Sequence, residues 1–376
     1  MSKVKVVKVK EPKPPKQKRE RKPVANYVIA AVAVVIVAVL VLIWALPHLP
    51  QKPLTSAKSG YKGIIELWNV ETFEGGSGSR QSWLTNKSAK FEQVNSGLFV
   101  HITTMTQAEL TQKINDGQNF DIVCFSRGTG DIVKEMLTPL TVACRDVCDN
   151  YLLSAQMDGK QYAVPLYAGG YCLFARTSQL AEADLLAKSL TQTYTRKVGK
   201  NTFDLQPLIC GFTASNSPLT ALAMNGGQGK VTNIDEDVTQ YSAYEKFVDN
   251  KTAVTLLGTQ RDMYRLSQRE QNGKIDELGF YPLTAYTDLV QYLGVSVNSG
   301  EKTAACMQYI DYLLSAEVQQ TLVNVSVFSV LDVSIYTDKR YSAMEQGLKQ
   351  AFVPNVFVDA EIIANQRQTA KSTLAM

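Results

Sequence analysis

The sequence predicts an α/β protein with a mostly parallel sheet, set behind a single N-terminal transmembrane helix. Three observations carry this. An uncharged, apolar-dominated run extends from Tyr27 to Leu46. From Gly63 onward, short β-rich runs alternate with segments of helical spacing, the pattern of a parallel sheet whose ligands sit at the strands' carboxyl ends. The 45% hydrophobic and 20% charged composition is that of an ordinary globular protein, with no internal repeat and no low-complexity tract beyond the N-terminal tail.

Twenty residues at a helical rise of about 1.5 Å span roughly 30 Å, the thickness of a bilayer's hydrocarbon core. Residues 24–46 are therefore expected to cross a membrane. The preceding tail, 1–23, carries ten Lys and Arg against Glu11 and Glu20, and this excess places it on the cytoplasmic side with the C-terminal bulk outside the cell. A cleaved signal peptide is the competing reading. Its apolar region is shorter, however, and Ala45–Pro53 lacks a small-x-small cleavage site. No cysteine follows the run before Cys124, which excludes a lipidated N-terminal cysteine. Residues 47–62 read as a linker.

Without the tail, 29 basic and 33 acidic residues remain of the chain's 39 and 35. The exterior part is thus mildly acidic, and nothing in it points to nucleic acid. The six cysteines, at 124, 144, 148, 172, 210 and 306, lack the dense spacing of a disulfide framework. Several lie in apolar runs, so buried thiols are expected, with Cys144 and Cys148 the pair to test for a bridge. The chain has only His48 and His101, one at the membrane boundary and one inside an alternating strand. With no Gly-x-Ser-x-Gly elbow, no Walker loop and no His-rich motif, neither a catalytic residue nor a metal ligand nor a cofactor is expected.

The exterior elements read in order as follows. Ile64–Trp68 is a strand running into the glycine-rich turn Glu74–Arg80, and a helix carries Trp83 and Phe91. Leu98–Thr103 is a second strand. Ala108, Leu110 and Ile114 mark a short helix, and Phe120–Phe125 is a compact apolar strand. Ala163–Tyr167 is extended, because Pro165 keeps Val164 out of the helical region. A strand follows at Tyr171–Ala175, then helices at 179–195 and 219–224 and a loop at Gly226–Gly229. Lys251–Leu257, Gly279–Leu283 and Leu293–Val297 are further extended segments. An amphipathic helix is marked by Cys306, Ile310, Leu313, Leu314 and Val318, with closing helices at 344–352 and 358–374.

Five segments in this order resemble a known family. They are Ile65–Asn69, Phe120–Phe125, and Asp158–Pro165 followed by Gly170 and Tyr171. The last two are Thr252–Gly258 and the helix 304–322 with its Leu314–Gln319 turn. Together they resemble the extracellular solute-binding proteins of bacterial ABC importers, in the type II periplasmic-binding-protein-like group that includes the sugar binders. The resemblance spans about Gly63 to Val330 and departs from the family's usual lipid anchor. It implies two α/β lobes, one of residues 61–165 plus 281–330 and the other of 166–280, with closing helices over 331–376. The stretches Ala163–Tyr167 and Phe280–Leu283 are the expected crossovers. It further implies a small solute between the lobes, a carbohydrate before an anionic one, delivered to ABC permease subunits by hinge closure. An anchored sensor or envelope scaffold is the alternative.

Four loops at strand ends supply the candidate ligand contacts. Asn69, Glu71, Ser77, Gly78, Ser79 and Arg80 belong to the first, where a glycine-rich turn opens a helix. Ser126 and Arg127 form the second. Tyr167, Gly170 and Tyr171 form the third, tyrosines being suited to stacking on sugar faces. Thr259, Gln260 and Arg261 form the fourth. The three arginines suggest either a basic pocket or ion pairs with Glu71, Glu74, Asp131 or Asp262, and ion pairing is the expectation.

Overall fold

The structure, a computed structural model, describes residues 59–140, 146–227, 229, 234–296 and 300–375. The expected tail, transmembrane run and most of the linker lie outside the described residues, as do Cys144 and Val297. Among the described residues no helix is long and apolar enough to cross a membrane.

Two five-stranded sheets organise the chain. Sheet one has the order β2-β1-β3-β10-β4, built from β1 (Gly63–Val70), β2 (Leu98–Met105), β3 (Ile122–Ser126), β4 (Ala163–Ala168) and β10 (Val290–Val295). Sheet two has the order β9-β5-β8-β7-β6. Its members are β5 (Tyr171–Arg176), β6 (Tyr194–Val198), β7 (Asn201–Cys210), β8 (Ala253–Thr259) and β9 (Leu278–Leu283). Each sheet founds one lobe. The chain passes between them at Gly169–Gly170 and again at residues 284–289. The stretches expected to be crossovers are thus strands β4 and β9, paired in sheets one and two, and the crossovers lie just beyond each.

The sheets are mixed rather than mostly parallel. β1 pairs with β2 and β3 in parallel, and β7 with β8. The strands adjoining the crossovers, β10, β5 and β9, pair antiparallel with their neighbours. Strand direction here follows from which lobe the chain comes from, a long-range property that alternation of apolar runs does not encode.

Local chemistry explains most element starts. Ser79 caps α1 (Arg80–Val94) by accepting the Ser82 amide. Thr106 and Glu109 form a reciprocal capping box on α2 (Gln107–Asn115), and Thr259 and Asp262 do so further on. β1 is covered on both faces: Ile65 and Leu67 enter one apolar cluster, Trp68 and Val70 the other. β3 is buried throughout for the same reason. The helix expected over 179–195 is only a turn, Leu185–Lys188, followed by the β6–β7 hairpin. Gly199 at φ 61° makes that hairpin's turn, and the β-formers Tyr194, Thr195 and Val198 suit an exposed strand better than a helix.

In lobe two the helices are α3 (Pro218–Met224), α4 (Gln240–Asp249) and α5 (Gln260–Gln271). α6 (Gly300–Leu313) returns to sheet one, and α7 (Lys339–Leu348) and α8 (Ala360–Leu374) close the chain. Between α7 and α8 the chain grips lobe one: the Val356 amide donates to Ser154 O at 2.9 Å, and the Phe357 ring packs tilted against that of Phe125, centroids 5.9 Å apart. α8 then packs on α3 of lobe two.

Cys124, Cys172, Cys210 and Cys306 are buried free thiols and Cys148 is half-buried. Burial pushes the Cys124 thiol up to about 12, so it is protonated and unreactive at neutral pH.

Candidate functional site

The ends of β1, β3 and β8 meet the two crossovers at the seam between the lobes. One side of the seam is made by the first two turns of α5. Gln260 accepts the Gly170 amide at 3.0 Å and donates to Glu74 O at 2.9 Å. Arg261 donates to Gly76 O. Arg265 reaches both Glu74 carboxylate oxygens, at 3.1 and 3.3 Å. The glycine-rich loop thus turns its carbonyls and one carboxylate toward lobe two. Beneath it the buried Asp262 carboxylate is raised to about 6, mainly by desolvation.

The other side centres on Arg127 at the end of β3. Its Nη1 donates to Asp288 Oδ2 at 2.9 Å, to the Tyr286 hydroxyl at 3.1 Å and to Ser217 Oγ at 3.3 Å. Asp288 also receives the Tyr171 hydroxyl at 2.5 Å and that of Tyr286 at 3.0 Å. The Arg127 and Asp288 side chains are only 3% and 0% exposed. Desolvation and the adjacent Asp288 charge hold both tyrosines well above their ordinary pKa, so they act as donors. Gly128 allows the close approach: at φ 90°, a Cβ there would lie 2.6 Å from that of Ser215 on lobe two. A narrow crevice runs from Tyr171 past Gly258 and Asp262 to Gln240, whose buried amide has no partner.

The remaining expected residues lie elsewhere. Arg80 is 6% exposed and sits inside lobe one. There it pairs with Glu71 at 2.9 Å, donates to Phe73 O, and lies over the rings of Phe73 and Tyr167. Asn69 reaches Thr104 Oγ1 at 3.3 Å. Ser77 bonds Asn324 O and Ser326 Oγ, and Ser126 bonds the Thr72 hydroxyl. Ser79 is the α1 cap, with Gly78 beside it at φ 63°. Thus Arg127 and Tyr171 converge through Asp288, and Gly170, Gln260 and Arg261 converge with the 74–76 loop. Arg80 meets Glu71, one of the four carboxylates expected, whereas Arg127 meets Asp288, which was not among them, and Arg261 meets a carbonyl.

Sequence reasoning missed Ser217, Tyr286, Asp288 and Gln366 of α8, which also accepts from Arg127. For Asp288 there was a signal, a lone carboxylate between Thr287 and the apolar Leu289 and Val290. For Gln366 there was none, since it arrives from a distant helix.

Two α/β lobes joined by two crossovers, with polar side chains of both meeting at the strand ends, give the bilobal architecture in which a small ligand is held between lobes. The chain belongs to the family of bacterial extracellular solute-binding proteins, whose sequence signature matches residues 88–338. No curated protein matches it. Among solved structures it is similar to the GacH receptor of Streptomyces glaucescens, known unliganded and with acarbose. That likeness has 15% identity and a TM-score of 0.56, covering 84% of this chain and 93% of that one. It is also similar to the sugar-binding protein MalE of Xanthomonas citri, at 14% identity and a TM-score of 0.57, covering 83% and 92%. Maltose-bound MalE3 of T. maritima is a third, at 14% and 0.54, covering 83% and 100%.

Proposed function

We propose that this protein captures a small carbohydrate outside the cell and presents it to an ABC import permease by closure of its lobes. The observation that carries this is the interlobe cluster of Arg127, Asp288, Tyr171, Tyr286 and Ser217. It offers hydroxyls and a charge-compensated ion pair, a set suited to an uncharged, hydroxyl-rich ligand. The similarity of the fold to maltose- and acarbose-binding proteins supports the same ligand class. On this reading the apolar run Tyr27–Leu46 holds the domain at the cell membrane, with the basic tail inside.

A thermal-shift screen of the purified full-length chain against mono- and oligosaccharides, uronates, amino acids and peptides tests it. A ligand at a hundred times its Kd adds about 2.7 kcal/mol, a rise of several degrees for a domain of this size. A response confined to saccharides is expected. A folded sample silent to all of them counts against transport and for an anchored sensor or scaffold.

A further inference from the structure

Arg127 is incompletely partnered in a telling way. Its Nη1 is saturated by Asp288, Tyr286 and Ser217. The opposite edge of the guanidinium, Nε with Nη2, is the fork that takes two adjacent oxygens side by side. On that edge Nη2 is held by the side-chain carbonyl of Gln366, and Nε is buried without a partner among the described residues. An unpaired buried N–H is costly to keep, so this edge is half-satisfied by the protein itself.

Gln366 comes from α8, whose two attachments lie on different lobes. The segment before it is fixed to lobe one through Val356 and Phe357. Its own Arg367 donates to Asn216 O at 2.7 Å and Thr213 O at 2.5 Å on lobe two. Gln366 is therefore delivered to the seam by a strap across both lobes, and its amide is half-buried rather than locked in a core.

We propose that the Nε/Nη2 edge of Arg127 anchors two neighbouring hydroxyl oxygens of a neutral saccharide, and that Gln366 is an internal competitor for that edge. This rests on the carbohydrate reading above. Asp288 already pairs with Arg127 at 2.9 Å, so the edge is free to serve a neutral diol, while the nearby cation of Arg367 leaves the local charge positive and makes a carboxylate the competing occupant. The ligand's two oxygens take both N–H groups, and the Gln366 amide swings out to water.

The test uses the full-length chain and its Gln366→Ala and Gln366→Glu variants, with maltotriose and glucuronate as probes. Calorimetry is expected to show maltotriose binding roughly tenfold tighter in Q366A, the equivalent of one released hydrogen bond. In Q366E the carboxylate should grip Arg127 more firmly and weaken binding by a similar factor, with glucuronate bound by none. In parallel, Arg127 side-chain N–H exchange is followed without sugar by 15N-arginine NMR, assigned through Arg127→Lys. It should quicken in Q366A and slow in Q366E. Unchanged exchange in both variants overturns the competitor role whatever the sugar does. Faster exchange with unchanged or weaker maltotriose binding in Q366A makes Gln366 a scaffold or a ligand contact and also overturns it. Glucuronate binding ahead of maltotriose overturns the neutral-diol assignment. If no saccharide binds any variant, the carbohydrate reading and the anchor fall together, while the exchange data still decide the contact.

Discussion

Arg127 on the lobe-one loop and Asp288 on the second crossover form a buried ion pair at 2.9 Å, and it lies where the two lobes meet. Two tyrosine hydroxyls complete the carboxylate, so its charge is satisfied without water. The pair thereby ties the end of β3 to the second crossover.

Removing one partner should be expensive. Asp288→Asn leaves Arg127 charged, buried and unmatched, at a cost of about 3 kcal/mol in denaturant unfolding. Arg127→Met combined with Asp288→Asn should recover more than half of that loss, because no uncompensated charge remains. Additive losses in the double variant would show that the two residues act independently.

Glu74 and Arg265 form the seam's exposed counterpart, with side chains 31% and 16% exposed. Solvent screening limits such a pair to about 0.5–1 kcal/mol. Glu74→Gln should therefore lower the thermal midpoint by no more than a few degrees. If ligand binding draws on this closed seam, the Kd for any saccharide identified should rise 2- to 5-fold. An unchanged Kd in titration calorimetry would separate this contact from closure.

Asp262 should leave a mark on the pH profile. Its folded-state pKa, raised to about 6 from the ordinary 3.8, means that folding favours the protonated acid. Its contribution is fully present below pH 3.8 and is lost as pH rises through about 6. The stability of the natural chain relative to Asp262→Asn should thus fall, by about 2 kcal/mol, between pH 4 and 7.5. Paired denaturant titrations across that range measure it, and a flat difference would contradict the burial penalty.

Gly128 permits the contact between loops. Alanine there must adopt φ 90° and push against Ser215, costing about 1–2 kcal/mol for the backbone alone. Gly128→Ala should lower stability by at least that amount, read from the chemical midpoint. The same change at the exposed Gly117, φ 72° with nothing within 4 Å of a Cβ, should show only the backbone part.

Much of the architecture was legible because it is local. The apolar runs became β1, β3 and β8, since a short run of Ile, Val, Leu and Phe has few ways to hide both faces except inside a covered sheet. Caps such as Thr106 with Glu109 marked helix starts through bonds spanning three residues. Four loops at strand ends were legible for the same reason. Which side chains those loops bring into contact was not. Arg80 and Arg127 look alike in sequence, each following a strand and a small residue. One is enclosed within lobe one by Glu71, Phe73 and Tyr167; the other meets residues of lobe two, the second crossover and α8.

The chain's order of residues was enough to settle its α/β class, its family and the positions of its strands and most of its helices, because those follow from periodicity, turn chemistry and segments in a recognisable order. Only the tertiary structure decided the strand directions, the crossovers at Gly169–Gly170 and 284–289, and the polar cluster at the seam. Those depend on partners separated by 90 to 239 positions, and bonds over such distances are chosen by packing of the whole lobe pair rather than by any local preference.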